Sequence, residues 1–429
     1  MNIIILAAIT SLFTIVADRP DCHYHAGEVS ELTVTVTDTN GVKLTSGKVS
    51  AWADNFGARG IVEKRDFDLS VANPFKVTAS RATPGFIRWN FSDKGCRKQF
   101  GVGYDTDKIR PGTPEPADFD AFWRGAIAKY DREITDPPEM ELDSSLSDAS
   151  WEVLRVSFAA PCGRRVYGFV SKPKGAKERL PGRVEIAAAG YGSWSQEPTK
   201  VPGMITLKLT VYPFEPDVKL TREADYRACN ERAKAKWGVE SYSQGGISES
   251  REAYFYYPVI LANNRAIDWF ACREDIDPGR ITYAGTSQGG GLGLAAMALS
   301  KRFSAGAVFV PALTDLMSSE IEERQSGWPQ LIENQTDENK AAARMNAPYF
   351  CGANFARRIS IPIRFAVGFA DFICAPHAVY AAYNVCPSAD KAITDGIGMP
   401  HGVYREIYGR LGKWLAECPA RSRVATRVQ

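Results

Sequence analysis

The sequence has few of the residues that usually mark a metal centre or a nucleic-acid surface. Only four of its 429 residues are histidine, and none of its nine cysteines forms a CxxC pair or a metal-type spacing with a histidine. Lys and Arg together number 52 against 50 Asp and Glu, so the net charge of +2 gives no general attraction for nucleic acid. The sequence therefore predicts no metal, no cofactor and no nucleic-acid partner.

Long apolar runs are also scarce. Residues 1–17 (MNIIILAAITSLFTIVA) are apolar and end in a small residue before the polar Asp18, which is typical of a signal peptide. Outside this stretch no run of apolar residues is long enough to cross a bilayer, so we expect no membrane span. The sequence predicts a secreted or periplasmic protein, and the competing interpretation of residues 1–17 is a buried first strand.

The remaining chain predicts two domains of different class. Residues 18–105 alternate apolar and polar side chains between short turns, as at Leu32, Val34 and Val36, which predicts an all-β sandwich. A polar, proline-rich stretch follows, and from Phe119 onward helical and strand patterns alternate. We therefore expect an α/β domain over residues 106–429, with a mostly parallel sheet flanked by helices.

Two cysteines bracket the predicted β domain. Cys22 lies near its start and Cys96 near its end. Because disulfides form in exported proteins, the sequence predicts a bond between these two cysteines.

The motif that carries chemistry is Gly285-Thr286-Ser287-Gln288-Gly289, which fits G-x-S-x-G. A β-type run, Ile281–Ala284, precedes it, and a helix-compatible run, Gly290–Leu299, follows it. A strained strand-to-helix turn needs small residues on both sides of the serine, so this context predicts a nucleophile at Ser287. The alternative is an ordinary glycine-rich turn.

A serine nucleophile needs a base and an acid, which follow it in the α/β-hydrolase order Ser, Asp, His. His401 lies in a loop before the last amphipathic helix, whereas His377 lies inside a helical run and is the weaker candidate. Asp371 follows the predicted strand 363–367 closely, which favours it as the acid. Asp315 and Asp337 follow an apolar β-type run less closely, and the sequence predicts that Asp390 and Asp395 lie in polar loops.

The developing oxyanion needs two backbone N–H donors. The residue after the nucleophile, Gln288, is the first candidate. The second is Tyr191, in a glycine-containing loop after the predicted strand 183–188, where the alternative is a simple turn.

Several motifs together resemble the acetyl xylan esterase and cephalosporin C deacetylase family of carbohydrate esterases. The matching segments are residues 116–123 (PADFDAFW), 190–191 (GY), 266–270 (AIDWF), 277–278 (DP), 285–291 (GTSQGGG) and 362–384. The resemblance implies an α/β-hydrolase fold and a serine esterase acting on acetylated carbohydrate. It also implies Ser287, Asp371 and His401 as the triad, with Tyr191 and Gln288 as the oxyanion hole.

The chain departs from the family pattern near the predicted site. The usual Arg-Gly-Gln loop is replaced by residues 211–216 (VYPFEP), and the usual histidine before Gly190 is Ala189. The N-terminal β domain is additional to the short family members, which resemble a ring-like hexamer. Because an extra domain can obstruct such a ring, the sequence leaves homo-oligomerisation open. Two alternatives remain. One is a prolyl-oligopeptidase-type serine peptidase, and the other is a non-catalytic carbohydrate-binding protein with a decayed hydrolase fold.

Overall fold

The computed structural model describes residues 12–417 apart from 58, 94, 322 and 323. The N-terminal strands are β1 (Leu12–Ala17), β2 (His23–Tyr24), β3 (Val29–Thr37), β4 (Lys48–Asp54), β5 (Gly60–Asp68), β6 (Phe75–Ser80), β7 (Gly85–Ser92) and β8 (Arg97–Tyr104). They form one sheet of order β1-β3-β6 and another of order β2-β8-β7-β4-β5. Phe75 of the first sheet packs near Phe91 of the second, with ring centroids 6.5 Å apart. The predicted β-rich N-terminal region is confirmed.

Strand β1 coincides with the end of the predicted signal peptide. Residues 1–11 of that peptide lie outside the described residues. Leu12–Ala17 pairs antiparallel with β3, with Leu12 opposite Thr37 and Ala17 opposite Leu32. These six residues thus form a strand, but not the buried one of the competing interpretation, because Leu12 and Val16 are 47% and 59% exposed. Export stays a prediction.

The predicted disulfide between Cys22 and Cys96 is wrong, because both are free thiols. The Cys22 carbonyl accepts a hydrogen bond from the Gly103 N–H near the end of β8, whereas Cys96 lies directly before the start of β8. A strand advances about 3.3 Å per residue, so the length of β8 places the two cysteines roughly 20 Å apart. A disulfide cannot span that distance.

The rest of the chain forms one large sheet. Its strands are β9 (Glu139–Leu142), β10 (Trp151–Ala160), β11 (Arg164–Pro173), β12 (Leu180–Ile186), β13 (Ile205–Leu209), β14 (Ile276–Thr286), β15 (Phe303–Phe309), β16 (Ile363–Gly368) and β17 (Lys391–Gly396). The order is β17-β16-β15-β14-β12-β13-β11-β10-β9. The pairs from β13 through β12, β14, β15 and β16 to β17 are parallel, whereas β9, β10 and β11 join antiparallel.

Helices cover both faces of this sheet. They are α1 (Phe119–Glu133), α2 (Ser193–Gln196), α3 (Glu223–Trp237), α4 (Tyr256–Ala271), α5 (Gln288–Leu299), α6 (Asp337–Asn346), α7 (Gly352–Ala356), α8 (Pro376–Val385) and α9 (Arg405–Glu417). Val308 of β15 belongs to the core shared with α5, whereas its neighbour Phe309 stacks on Tyr408 of α9. Successive strand residues face opposite ways, so α5 and α9 lie on opposite faces. The α/β fold is therefore confirmed. No helix in the described part of the chain combines the length and apolar character needed to cross a membrane.

Candidate active site

The G-x-S-x-G segment forms a sharp turn between β14 and α5. Strand β14 ends at Thr286, Ser287 has φ 55° and ψ −121°, and α5 begins at Gln288. A positive φ strains a non-glycine residue, and such strain concentrates at functional sites. The Ser287 N–H donates to the Phe309 carbonyl and the Ser287 carbonyl accepts from the Ala312 N–H, both at 2.9 Å. These bonds hold the serine at the carboxyl edge of the parallel strands.

Gly289 explains why the motif needs a glycine after the serine. A Cβ at Gly289 would lie 1.9 Å from the carbonyl oxygen of Ile186, the last residue of β12. Any side chain would therefore push the first turn of α5 away from that strand. The close approach places the N-terminus of α5 directly beside the loop that follows β12.

Ser287, His401 and Asp371 lie in one hydrogen-bonded line. His401 Nε2 is 3.0 Å from Ser287 Oγ, and His401 Nδ1 is 2.8 Å from Asp371 Oδ2. Asp371 is fully buried, and its other oxygen, Oδ1, accepts from the backbone N–H groups of Ile373 and Cys374, both at 2.9 Å. The structure thus brings together the three residues that the sequence predicted. The fixed carboxylate holds the imidazole in a single orientation.

A thiol lies beside this line. The ligand atoms of Asp371, Cys374 and His401 all lie within 4.8 Å of one another. Burial, together with the Asp371 carboxylate, raises the pKa of the Cys374 thiol well above its usual value, so the thiol is neutral. Both nitrogens of His401 are already engaged, by Ser287 and Asp371, and a metal ligand must offer a free lone pair. The three side chains fit a proton-transfer line better than a metal site.

The side chain of Gln288 is clamped on every polar atom. Its Oε1 accepts from the hydroxyls of Tyr242 at 2.7 Å and Tyr256 at 2.6 Å, and its Nε2 donates to the Ala187 carbonyl at 3.1 Å. Gln288 is the first residue of α5, where backbone N–H groups have no acceptor within the helix. The clamp therefore fixes a free N–H next to Ser287 and ties it to the loop after β12.

That loop is held in turn by the segment that departs from the family pattern. The Gly190 N–H donates to the Tyr212 hydroxyl at 2.7 Å, and the Tyr212 ring stacks on Phe214 with centroids 5.2 Å apart. Tyr212 is fully buried and also contacts the Tyr242 hydroxyl at 3.1 Å. The backbone just before Tyr191 is therefore fixed by the hydrogen bond from Gly190 to Tyr212. Tyr212 lies in residues 211–216, where the sequence departs from the family pattern, but Tyr242 and Tyr256 did not stand out, because a tyrosine at a single position carries no local pattern.

The N-terminal sheet contacts the loop that carries Asp371. A Cβ at Gly101 of β8 would lie 1.7 Å from the Phe369 carbonyl oxygen, two residues before Asp371. Phe86 of β7 and His23 of β2 also pack on Phe369, with ring centroids 5.0 and 5.4 Å apart. The β-rich region therefore forms one wall behind the acid loop.

Gly101→Ala should lower kcat on p-nitrophenyl acetate by about 10- to 100-fold. The added Cβ would displace the loop that carries Asp371, and a displacement of about 1 Å at a reacting group lowers the rate by that order. The matched control is Gly60→Ala in the same sheet, where an added Cβ meets nothing within 4 Å. Both variants should be compared for kcat and thermal midpoint. A Gly101→Ala enzyme with unchanged kcat would show that the acid loop does not depend on this contact.

The other histidine and acidic residues considered in the sequence make contacts away from Ser287. His377 lies buried in α8 with Nε2 2.6 Å from the Gln325 carbonyl oxygen, and burial lowers its pKa to about 3. Asp315 is fully buried and accepts from Thr113. The prediction that Asp395 lies in a polar loop is wrong, because it lies in β17 and contacts His23 Nε2 at 3.0 Å. This strand was missed in the sequence because residues 391–395 (KAITD) include too few apolar side chains to show alternation.

The mostly parallel sheet with a serine at a strained strand-to-helix turn is the arrangement of the α/β-hydrolase fold. The acetyl xylan esterase (AXE1) family model matches residues 105–396. The chain belongs to that family and is an acetyl xylan esterase-like carbohydrate esterase.

Individual relatives agree with this assignment. The acetyl esterase Axe7A of Xylanibacter ruminicola is 26% identical over 324 residues, which cover 72% of this chain and 69% of that protein. Among solved structures, an acetyl xylan esterase from a Paenibacillus species has a TM-score of 0.60 at 24% identity, covering 73% of this chain and 98% of the other. Acetyl xylan esterase 1 from a Thermoanaerobacterium species gives 0.56 at 20% identity, with the same coverage. Both structural matches show the shared fold.

Proposed function

We propose that the chain is a serine esterase that removes acetyl groups from polysaccharide or oligosaccharide, with Ser287, His401 and Asp371 as its catalytic triad. The observation that carries this proposal is the hydrogen-bonded line of these three side chains at a strained turn, in a member of an acetyl xylan esterase family. A decayed hydrolase would have no reason to retain the strain at Ser287.

In the proposed mechanism each group has one step. His401 Nε2 takes the Ser287 proton as Oγ bonds to the acetyl carbonyl carbon, and the carbonyl electron pair moves onto oxygen. The backbone N–H groups of Gln288 and Tyr191 stabilise that oxyanion. Collapse breaks the bond to the sugar oxygen, which takes the proton from His401 and leaves an acetyl-enzyme. Water then attacks by the same route and releases acetate, while Asp371 stabilises the imidazolium.

The surroundings of the site suit a sugar as the alcohol. Trp194, Phe372 and Tyr404 are large aromatic side chains that are 55%, 48% and 47% exposed, and each follows a site residue closely in the chain. Aromatic rings present flat apolar faces to solvent-accessible ligands at modest entropic cost. We infer that these rings contact the sugar, which is the leaving group.

We infer that residues 211–216 form a rigid wall on the acyl side. Tyr212 is buried, stacks on Phe214 and anchors Gly190, and Pro213 between them restricts the backbone. We infer that the pocket beside the oxyanion hole is closed to long acyl chains, and that the altered preference lies with the sugar.

Rates on p-nitrophenyl esters should therefore fall steadily from acetate to butyrate and be negligible for octanoate. Each added methylene changes discrimination by about 1–3 kcal/mol in a closed pocket, so the decline should be graded. Measuring kcat/KM across the series checks this. A maximum at butyrate or longer would indicate a general carboxylesterase rather than a deacetylase.

The direct test of the proposed function combines hydrolysis of p-nitrophenyl acetate with labelling by a fluorophosphonate. We expect turnover, and a covalent adduct on Ser287 found by peptide mapping. Turnover without an adduct on this serine would overturn the triad. We also propose that residues 18–105 and 106–429 are separate domains. A further proposal is that residues 1–17 direct export, which N-terminal sequencing of the exported protein checks.

A further inference from the structure

A groove lies beside Tyr242, one of the two tyrosines that clamp Gln288. It has a volume of about 620 Å³, within the usual range for ligand pockets, and is walled by one face of α3, by the start of β11 and by the residue before α4. Its aromatic walls are Trp237, Tyr242 and Phe255. We call it the α3 groove.

The charges of the α3 groove are all of one sign. Arg164, Arg232 and Lys236 line it, and no carboxylate among the described residues does. Lys236 pairs with Glu249 at 3.2 Å, outside the groove. The two arginines form no ion pair with a described residue: Arg164 donates to the Phe255 carbonyl at 3.1 Å, and Arg232 contacts the Cys229 sulfur at 3.1 Å.

Arg164 is poorly compensated in this position. Its guanidinium lies 4.5 Å from the centre of the Phe255 ring, and burial lowers its pKa. The nearby thiols of Cys229 and Cys162 oppose this shift, whereas Arg232 is another cation and adds to it. Two guanidinium groups beside an aromatic wall attract an anion, and a guanidinium matches a carboxylate in geometry.

A continuous set of rings connects the α3 groove to the loop after β12 that carries Tyr191. Tyr191 contacts Tyr226, Tyr226 contacts Tyr242, and Tyr242 contacts Phe255, with centroid distances of 5.8, 5.9 and 4.7 Å. Tyr242 also donates to Gln288, the residue after the nucleophile. Tyr191 and Tyr226 are only half-buried, so we infer that one oligosaccharide can extend along this surface from Ser287 to the groove.

We propose that the α3 groove binds a uronic acid residue of the acetylated polysaccharide, with its carboxylate on Arg164 and Arg232 and its apolar face on Trp237 or Phe255. This inference rests on the proposed function, because it adds a charged sugar to the substrate of the same site. A neutral xylan-type chain would leave both arginines without a counter-charge. The groove thus predicts a preference for acidic over neutral acetylated substrates.

The test compares two acetylated oligosaccharides that differ in one group. One carries a glucuronic acid residue, and in the other that carboxyl is reduced to an alcohol. Wild-type kcat/KM should favour the acidic form by about tenfold, as expected for losing charge-assisted hydrogen bonds. Arg232→Gln, on the exposed face of α3, should reduce the preference to about twofold or less. The matched control is Arg227→Gln on the same helix, which pairs with Glu223 and should keep the full preference.

Turnover of p-nitrophenyl acetate tests the esterase function separately from uronic acid binding, because this small substrate does not use the groove. Its rate should be equal in the wild type, Arg232→Gln and Arg227→Gln. Calorimetric titration with the deacetylated acidic oligosaccharide tests the groove even if esterase activity is absent. Equal wild-type rates on both oligosaccharides would overturn the proposal. A preference that survives both Arg232→Gln and Arg164→Gln would also overturn it. So would sedimentation showing that a second copy of the chain covers α3.

Discussion

Ser287→Ala should lower kcat on p-nitrophenyl acetate by at least ~10⁴-fold while the protein stays folded. The hydroxyl that is lost is the proposed nucleophile, 3.0 Å from His401 Nε2. Alanine tolerates the turn as well as serine does, because the hydrogen bonds that hold it come from the Ser287 backbone. Circular dichroism and the thermal midpoint should match those of the wild type.

The matched control for this substitution is Ser300→Ala at the other end of α5, which removes a hydroxyl without touching the site. That variant should keep wild-type kcat. If Ser287→Ala retained more than a tenth of the activity, the nucleophile would have to be another residue.

Asp371→Asn should lower kcat by about 10³- to 10⁴-fold. The amide is the same size and still accepts from the Ile373 and Cys374 N–H groups. It can donate to His401 Nδ1, however, which favours the tautomer with the proton on Nε2, and that nitrogen could no longer take the serine proton. The loss should appear in kcat with KM little changed.

Asp395→Asn is the control for this second substitution, because Asp395 contacts His23 and Tyr380 rather than the triad histidine. It should lower the thermal midpoint and leave kcat within a few-fold of the wild type. Equal losses of kcat in both variants would mean that Asp371 acts only through stability. The pH dependence of kcat should also change in Asp371→Asn alone.

The chemical elements of the site were predictable because each leaves a local mark in the sequence. Ser287 stands between small residues that a strained turn requires, Asp371 follows a strand within a few residues, and His401 precedes a helix. Their order along the chain is a property of the fold, so once the turn is recognised few candidates remain. The structure places these three side chains within hydrogen-bonding distance.

The supporting groups were not predictable. Tyr212, Tyr242 and Tyr256 reach Gln288 and Gly190 from separate segments, and no spacing along the chain records those contacts. The predicted bond between Cys22 and Cys96 failed for the same reason. Their positions at the two ends of a domain in sequence gave no information about the length of β8 between them.

The sequence by itself determined the class of fold and predicted the proposed nucleophile and its partners in chain order, because short-range patterns of apolar and small residues encode strands, helices and tight turns. Only the tertiary structure decided that β8 presses on the Asp371 loop, that tyrosines clamp Gln288, and that two arginines face one groove. Those facts depend on side chains that are far apart in sequence. Packing in three dimensions, rather than any local preference, brings them together.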